Sequence, residues 1–318
     1  MKTLENVSLV VTVKNEGAGI VEFLDAIAGQ SMLPAEVIIV DGASRDDTAT
    51  RVQTYSKMRI QVIIEDCNIA RGRNIGIRSA KCDFIVITDA GCIPWSDWIE
   101  KICEDRNQAD VIVGNYRARI LSPLDACQAA LMNLFGSDGS LSNFAISSRS
   151  IAFQRRIWKQ VGGYPEWLKY SEDAYFHDLL KRHSSRIVFK RDAIVEWNQR
   201  KSISEIVLQY YRYMEGEAIG RRHLARNLIR YMFYGGSIAA LSVFHCSIWL
   251  ILAIFLSITV YLFVPLRKLS KLEWFRQSVT SSLEAIILLP ALLIAVDFAK
   301  MSGFASGILQ KMKMLRAE

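Results

Sequence analysis

Along the first ninety residues the apolar positions switch between two periods, and the switches mark the elements. Leu9-Val10-Val11-Thr12-Val13, Val37-Ile38-Ile39-Val40-Asp41, Ile60 to Ile64 and Phe84-Ile85-Val86-Ile87-Thr88-Asp89 are nearly continuous runs rich in β-branched residues. Such runs belong to strands buried on both faces, as in a parallel sheet covered by helices. Between them the period becomes helical. Ile20, Phe23, Leu24 and Ile27 fall on one face, Asp46-Asp47-Thr48 makes an acidic, cap-forming helix start, and Asn74 to Ala80 gives a short helix. The β-α-β-α-β-α-β order predicts an α/β fold with a Rossmann-like, mostly parallel sheet flanked by helices and joined by right-handed crossovers.

Two of these strands end in a lone aspartate, Asp41 and Asp89. In open α/β sheets ligands sit at the carboxyl ends of the strands. A carboxylate there accepts hydrogen bonds from a base or ribose, or holds a divalent cation that carries phosphates. A strand end that needs a polar residue before a turn gives the same pattern, and Asp41-Gly42 is a good turn dipeptide.

After Asp110 the rhythm loosens. Val111 to Asn115 reads as an added strand, Pro123 to Phe135 as a helix, and Gly136 to Ser150 as a Gly/Ser-rich loop. Gly162-Gly163-Tyr164-Pro165 makes a turn, and Ser171-Glu172-Asp173 opens a helix to about His183. Ile187 to Phe189 and Ile194 to Val195 read as two late strands, followed by an amphipathic helix from Ile203.

Charge distribution separates this part of the chain from the rest. Residues 1–198 are nearly balanced, with 24 basic against 25 acidic side chains, so the overall excess of +7 lies in the C-terminal third. A nucleic-acid partner is not expected, because its basic patch would lie on the folded domain. The basic residues instead flank apolar segments, as they do beside membranes. Tyr231 to Val264 is 34 residues without a charge, long for one span and short for two. A second segment, Leu283 to Leu309, is interrupted by Asp297 and Lys300, which are close enough to pair. The N-terminus, Met1 to Ser8, has no apolar signal core, so residues 1–198 are expected in the cytosol. Cysteines 67, 82, 92, 103, 127 and 246 show no C-x-x-C spacing and suit a reducing compartment. No phosphate-loop, dinucleotide or nucleophile-elbow motif is present. His177, His183, His223 and His245 read as structural or surface residues.

Taken together, the segments SLVVTVKNE, VIIVDGASRDDT, ARGRNIGI, FIVITDAG, RSIAFQRRIWKQVGGYPEW, SED and QYYRY resemble, in order and spacing, those of a family 2 glycosyltransferase with the GT-A fold, over about residues 6 to 220. The resemblance implies an inverting, membrane-associated enzyme that takes a sugar from a nucleoside-diphosphate donor to a lipid-linked or glycan acceptor of the cell envelope. It implies a GT-A domain over 1–220, a basic juxtamembrane segment over 221–230, and a membrane region over 231–318 with about two apolar helices. The catalytic domain would face the cytosol at an inner or plasma membrane. Thr12, Val13, Glu16 and Asp41 would contact the nucleotide, with Arg71, Arg73 and Asn74 near the base or diphosphate. Asp89 would bind the ribose and the metal diphosphate. Its D-x-D motif reads Asp89-Ala90-Gly91, one acid short, so a Mg²⁺ or Mn²⁺ ion would be held mainly by the diphosphate and Asp89. Asp173 would be the general base, beside Glu172. Ser150, Gly163 and Tyr164 would lie near donor sugar and acceptor, and Trp158, Trp167 and Trp197 offer stacking surfaces. Arg212 would reach the diphosphate from a Q-x-x-R motif in which Gln209 is kept and Tyr213 replaces the usual Trp. An acidic helix start with Ser171 as cap gives the SED triplet without any chemistry. Two alternatives share these residues: a nucleotidyltransferase, for which only Lys14 hints at a phosphate grip, and a membrane-anchored sugar-nucleotide binder without catalysis, suggested by Gly91.

Overall fold

A computed structural model describes residues 2–17, 19–132, 146–220, 222, 224–243 and 248–317. The chain forms two compact units, the first of Met1–Arg119 and Leu134–Asn198, the second of Ile120–Asn133 and Gln199–Glu318.

In the first unit the expected rhythm is present: β1 (Lys2–Val13), α1 (Gly19–Ala28), β2 (Met32–Asp41), α2 (Thr48–Gln53), β3 (Gln61–Ile64), α3 (Ile69–Ser79) and β4 (Phe84–Asp89). The β-branched runs are the buried centres of β1, β2 and β4, with Leu9 to Val11, Ile38 to Val40 and Ile85 to Ile87 wholly out of solvent. Strand β3 lies at the sheet edge and is not buried on both faces as its sequence predicts, leaving Ile64 half exposed. Helix α3 begins earlier than the periodicity predicts, because the Asn68 side chain accepts a hydrogen bond from the Arg71 amide and so caps it. Gly76 lets α3 lie directly on the sheet: a Cβ there would stand 2.3 Å from Val10 Cγ1.

Beyond β4 the sheet departs from the mostly parallel expectation. The chain continues through β5 (Cys92–Pro94), α4 (Trp98–Cys103), β6 (Val111–Arg119), β7 (Ile151–Gln154), α6 (Arg155–Gln160), α7 (Glu172–His183) and β8 (Ile187–Asn198), with α5 belonging to the second unit. Among the described residues the strand order is β3-β2-β1-β4-β7-β6-β8-β5. Strands β3, β2, β1 and β4 run parallel, β7 pairs antiparallel with both β4 and β6, and β5 pairs antiparallel with β8. The result is a mixed, curled half-barrel sheet flanked by helices. Strand β7 has only four residues, too few to show an alternation in sequence. The two expected late strands are one, β8. The Gly/Ser-rich stretch falls largely outside the described residues.

The second unit is helical: α5 (Pro123–Leu131), α8 (Ile203–Ile219), α9 (Leu224–Val243), α10 (Ile248–Ser270), a short 3-10 turn at Glu273–Arg276, and α11 (Val279–Ala317). Its core gathers Ala126, Cys127, Ala130, Ile206, Leu269, Ala285, Leu289, Leu292 and Val296. The uncharged run Tyr231 to Val264 divides between α9 and α10, where Met232, Ile238, Phe255, Leu256, Val260 and Phe263 are exposed. Among the described residues one helix, Val279–Arg316, is long and apolar enough to cross a membrane. Its Asp297 is 1% exposed and is met by Arg230 Nε at 3.1 Å and Tyr234 Oη at 3.0 Å, with Lys300 Nζ at 4.0 Å and the Tyr261 hydroxyl also on it. Partnered in this way, a carboxylate becomes tolerable in an otherwise apolar helix.

Candidate active site

The carboxyl ends of β1, β2 and β4 lie side by side, since register pairs Val13 with Asp41 and Thr12 with Asp89. Asp41 is wholly buried; its Oδ1 accepts from the Ser44 amide at 2.6 Å, while its Oδ2 has no partner, and neither has the buried Thr12 Oγ1. Buried acceptors are nearly always paired, so two orphans at the ends of the neighbouring strands β1 and β2 mark where polar ligand groups belong. The turns leaving β1 and β2 lock together: the Asn15 amide donates to Ser44 Oγ at 2.9 Å and the Arg45 amide to Asn15 Oδ1 at 2.8 Å. Asn15 and Ala43 both take left-handed backbone, a cost in local strain that the interlocked turns sustain. Glu16 follows in this loop, its amide donating to Thr48 Oγ1, and Val13 is buried beneath it in the strand.

Arg73 carries the link from this strand end to the acidic triplet. It is 2% exposed, its Nη2 donates to Asp89 Oδ1 and its Nη1 to Glu172 Oε1, each at 2.7 Å, and its guanidinium lies 5.1 Å from the Tyr164 ring centre. Burial opposes its charge, but the carboxylates of Asp89, Glu172 and Asp173 outweigh burial and hold it protonated. The neighbouring Asn74 acts on the protein rather than outward. Its Nδ2 donates to the Tyr164 carbonyl and Glu166 Oε1, and its Oδ1 accepts from the Tyr164 amide and Trp158 Nε1, all within 3.0 Å. This fixes the Gly163-Tyr164 turn, where Gly163 has a φ of +78° and a Cβ would stand 2.8 Å from Asn74 Oδ1.

Helix α7 then presents its first turn to the cluster. Ser171 sits at the cap position in left-handed backbone without a side-chain capping bond, so the acidic triplet is not explained by ordinary capping. Glu172 is buried, and burial together with the nearby Asp173 charge raises its carboxyl to about 7 against the pull of Arg73. For Asp173, burial works upward, but positive charge on His177, Arg73 and Arg149 prevails and the net direction is down. The pair therefore divides into an ionised acid and a neighbour poised to hold a proton. Behind it runs a buried chain in which Ser148 Oγ lies 3.0 Å from Tyr164 Oη and 3.1 Å from His177 Nε2.

Thr12, Asp41, Arg73, Asn74, Asp89, Gly163, Tyr164, Glu172 and Asp173 thus belong to one region of the first unit. Arg71 lies on the exposed side of α3, ion-paired with Glu65. Ser150 is a buried structural group, accepting from Trp98 Nε1 at 2.8 Å. Trp158 is engaged by Asn74, while Trp167 is half exposed and meets Tyr175 edge to face. Gln209, Arg212 and Tyr213 lie on α8 in the second unit, where Gln209 Nε2 donates to Tyr213 Oη at 2.7 Å. Two residues have a larger part than the sequence reading gave them. His177, expected as a structural or surface residue, is buried one turn after Asp173, and the i, i+4 spacing on α7 was the available signal for a link between the two. Arg149, the first residue of the RSIAFQRR segment, is stacked on Trp197 and Tyr116, a contact that no local pattern around it announces.

The donor set does not fit a protein-held metal. Asp89 Oδ1 is already bound to Arg73, position 91 is glycine, and Cys92 is fully buried with its thiol pushed up by that burial. Among the described residues no group of three or more His, Cys, Asp or Glu side chains is arranged to hold an ion.

Comparison with known proteins gives a family match over part of the chain. Residues 8–145 match the model of "Glycosyl transferase family 2". The chain is similar to glycosyltransferase GlyG of Streptococcus pneumoniae, 30% identical over 118 residues covering 35% of this chain and 39% of that protein. It is also similar to the O-antigen chain rhamnosyltransferase WbaN of Salmonella anatum, 25% identical over 205 residues covering 60% and 65%. The chain therefore spans less than two thirds of the length of either relative. A likeness of fold extends to a mannosyltransferase from Pyrobaculum calidifontis, solved with GDP-Man and Mn²⁺, at a TM-score of 0.58 and 16% identity over 93% of this chain and 87% of that one.

Proposed function

Because this chain carries a glycosyl transferase family 2 domain over residues 8–145, we propose that it moves a sugar from a nucleoside-diphosphate donor to a hydroxyl of a lipid-linked or cell-envelope glycan, with inversion. The observation that carries this reading is Arg73, whose two hydrogen bonds join the strand-end Asp89 to Glu172 beside Asp173. Nucleotide and acceptor chemistry thereby share one rigid frame. The unpartnered Asp41 Oδ2 and Thr12 Oγ1 are the acceptors for donors on the base and ribose, with Val13 and Glu16 bordering the nucleotide and the Gly163-Tyr164 turn bordering the donor sugar.

In the reaction the acceptor oxygen attacks the anomeric carbon as the bond to the diphosphate breaks. The hydroxyl proton passes to Asp173, and the bond electrons leave with the nucleoside diphosphate. An Asp173 carboxyl held low is ionised at neutral pH and free to take the proton late, when attack has made the acceptor oxygen strongly acidic. The apolar helix Val279–Arg316 and the exposed apolar residues of α9 and α10 favour a membrane-bound acceptor. The similar WbaN is an O-antigen chain rhamnosyltransferase, in keeping with that class. The catalytic domain then faces the cytosol, where nucleotide sugars are made.

The test compares purified wild type with Asp173→Asn in donor binding and transfer. We expect unchanged nucleotide affinity and transfer reduced about 10²- to 10⁴-fold. Equal transfer by both removes Asp173 as the base, and donor binding without transfer or hydrolysis by wild type leaves only a binding protein.

A further inference from the structure

The same strand end that lacks a second carboxylate is supplied with fixed positive charge. Asp89 is the remaining acid, and its Oδ1 is held by Arg73, a guanidinium only 2% exposed whose other edge is held by Glu172. Both carboxylates that would draw a divalent cation thus already face a buried cation. Gly91 contributes no side chain, and the Cys92 thiol is wholly buried.

Arg149 adjoins the Asp89–Cys92 segment. Register pairs Cys92 with Trp197 across β5 and β8, and the Arg149 guanidinium lies 4.1 Å from the centre of that Trp197 ring and 5.4 Å from the centre of Tyr116. Its backbone carbonyl accepts from Thr88 Oγ1 at 2.6 Å, which ties it to the residue preceding Asp89. Its Nη1 is 3.2 Å from Ser147 Oγ. The Arg149 charge also opposes the rise that burial imposes on the Cys92 thiol and adds to the pull of His177 and Arg73 that holds the Asp173 carboxyl down. An arginine clamped by aromatic rings has little freedom to lose on binding, stays charged at every accessible pH, and offers a planar fork that matches phosphate oxygens. Tied through Thr88 to the strand that ends in Asp89 and acting electrostatically on Asp173, such a cation would stabilise the charge that develops on the leaving diphosphate without reorganisation.

We propose that Arg149 supplies the cation for the donor pyrophosphate in this chain, so that nucleoside-diphosphate binding is independent of divalent metal. The proposal rests on the sugar-nucleotide reading of the same site.

The experiment titrates UDP, GDP, dTDP and their parent nucleosides into the purified full chain by calorimetry, in EDTA and again in Mn²⁺. We expect one diphosphate to bind in EDTA with an affinity that Mn²⁺ changes by less than about threefold. Arg149→Gln should weaken that diphosphate about 10- to 100-fold, the effect of losing a charged hydrogen-bond partner, and leave nucleoside affinity unchanged, while Arg149→Lys restores part of it. Gly91→Asp has room, since nothing lies within 4 Å of its Cβ position, and should make diphosphate binding respond to Mn²⁺. Binding that disappears in EDTA and returns with Mn²⁺ in wild type overturns the metal-independent site while leaving the donor reading intact. Unchanged diphosphate affinity in Arg149→Gln overturns the role of Arg149. No nucleoside-diphosphate binding in either condition overturns both this proposal and the donor reading.

Discussion

Glu172→Gln separates two accounts of the Arg73 cluster that a picture of its contacts leaves equal. If Glu172 and Arg73 formed an ordinary stabilising ion pair, the Glu172 carboxyl would be depressed on folding, and stability would be lost as pH falls. The structure argues for the opposite sign. Burial and the adjacent Asp173 charge exceed the attraction of Arg73, raising Glu172 from the ordinary 4.5 to about 7. The folded state then binds more protons than the unfolded state between those values, so stability falls as pH rises through that range and is flat above it. The gap corresponds to about 3 kcal/mol, an order-of-magnitude figure. Asp173 moves the other way, but its contribution is lost only as pH falls below the ordinary aspartate range, outside this window. Glutamine keeps a carbonyl oxygen for the Arg73 Nη1 hydrogen bond and removes the ionisation. Relative to wild type, Glu172→Gln should therefore gain about 3 kcal/mol between about pH 5 and about pH 8, read by scanning fluorimetry as a relative rise in Tm of roughly 6 to 12 °C. Parallel Tm profiles for the two proteins, or a profile in which wild type gains on the variant with rising pH, would refute the reasoning.

Other outcomes follow from individual contacts. Gly76→Ala drives a methyl into Val10 Cγ1 at 2.3 Å and should cost about 1 to 3 kcal/mol, visible as a lowered Tm with nucleotide bound or absent. His177→Gln removes a positive charge that holds the Asp173 carboxyl down, so the acid limb of the kcat/KM profile should move to higher pH; an unmoved limb means that His177 does not set the base. Asp297→Ala strands Arg230 among apolar helices after removing its carboxylate partner, a loss of about 3 to 5 kcal/mol for a buried pair. Faster proteolysis of the second unit in detergent is the expected readout, and wild-type resistance would count against it.

Much of the first half of the fold was legible because β1, β2 and β4 have centres buried on both faces and therefore spell themselves out as β-branched runs. Asp41 and Asp89 were found at strand tips for the same reason, and Glu172-Asp173 at a helix start. The mixed half of the sheet was not legible. β7 is four residues long, and its pairing with β4 and β6 depends on where distant segments meet. The membrane reading divided similarly: composition marked both apolar runs, but the segment weakened by Asp297 is the one that forms the described spanning-length helix, because its charge is neutralised by partners on other helices.

By itself, then, the sequence determined the α/β rhythm, the acidic strand tips, the degenerate D-x-D at Gly91 and the separation of a balanced domain from an apolar, basic tail. Periodicity and local charge carry those features, and both are written in neighbouring residues. Only the tertiary structure decided that Arg73 closes on Asp89 and Glu172 at once, that Asn74 holds the Gly163-Tyr164 turn, and that Arg149 is clamped over Trp197. Those contacts join residues 16 to 99 positions apart, and charge in a low-dielectric interior is governed by distance in space rather than along the chain.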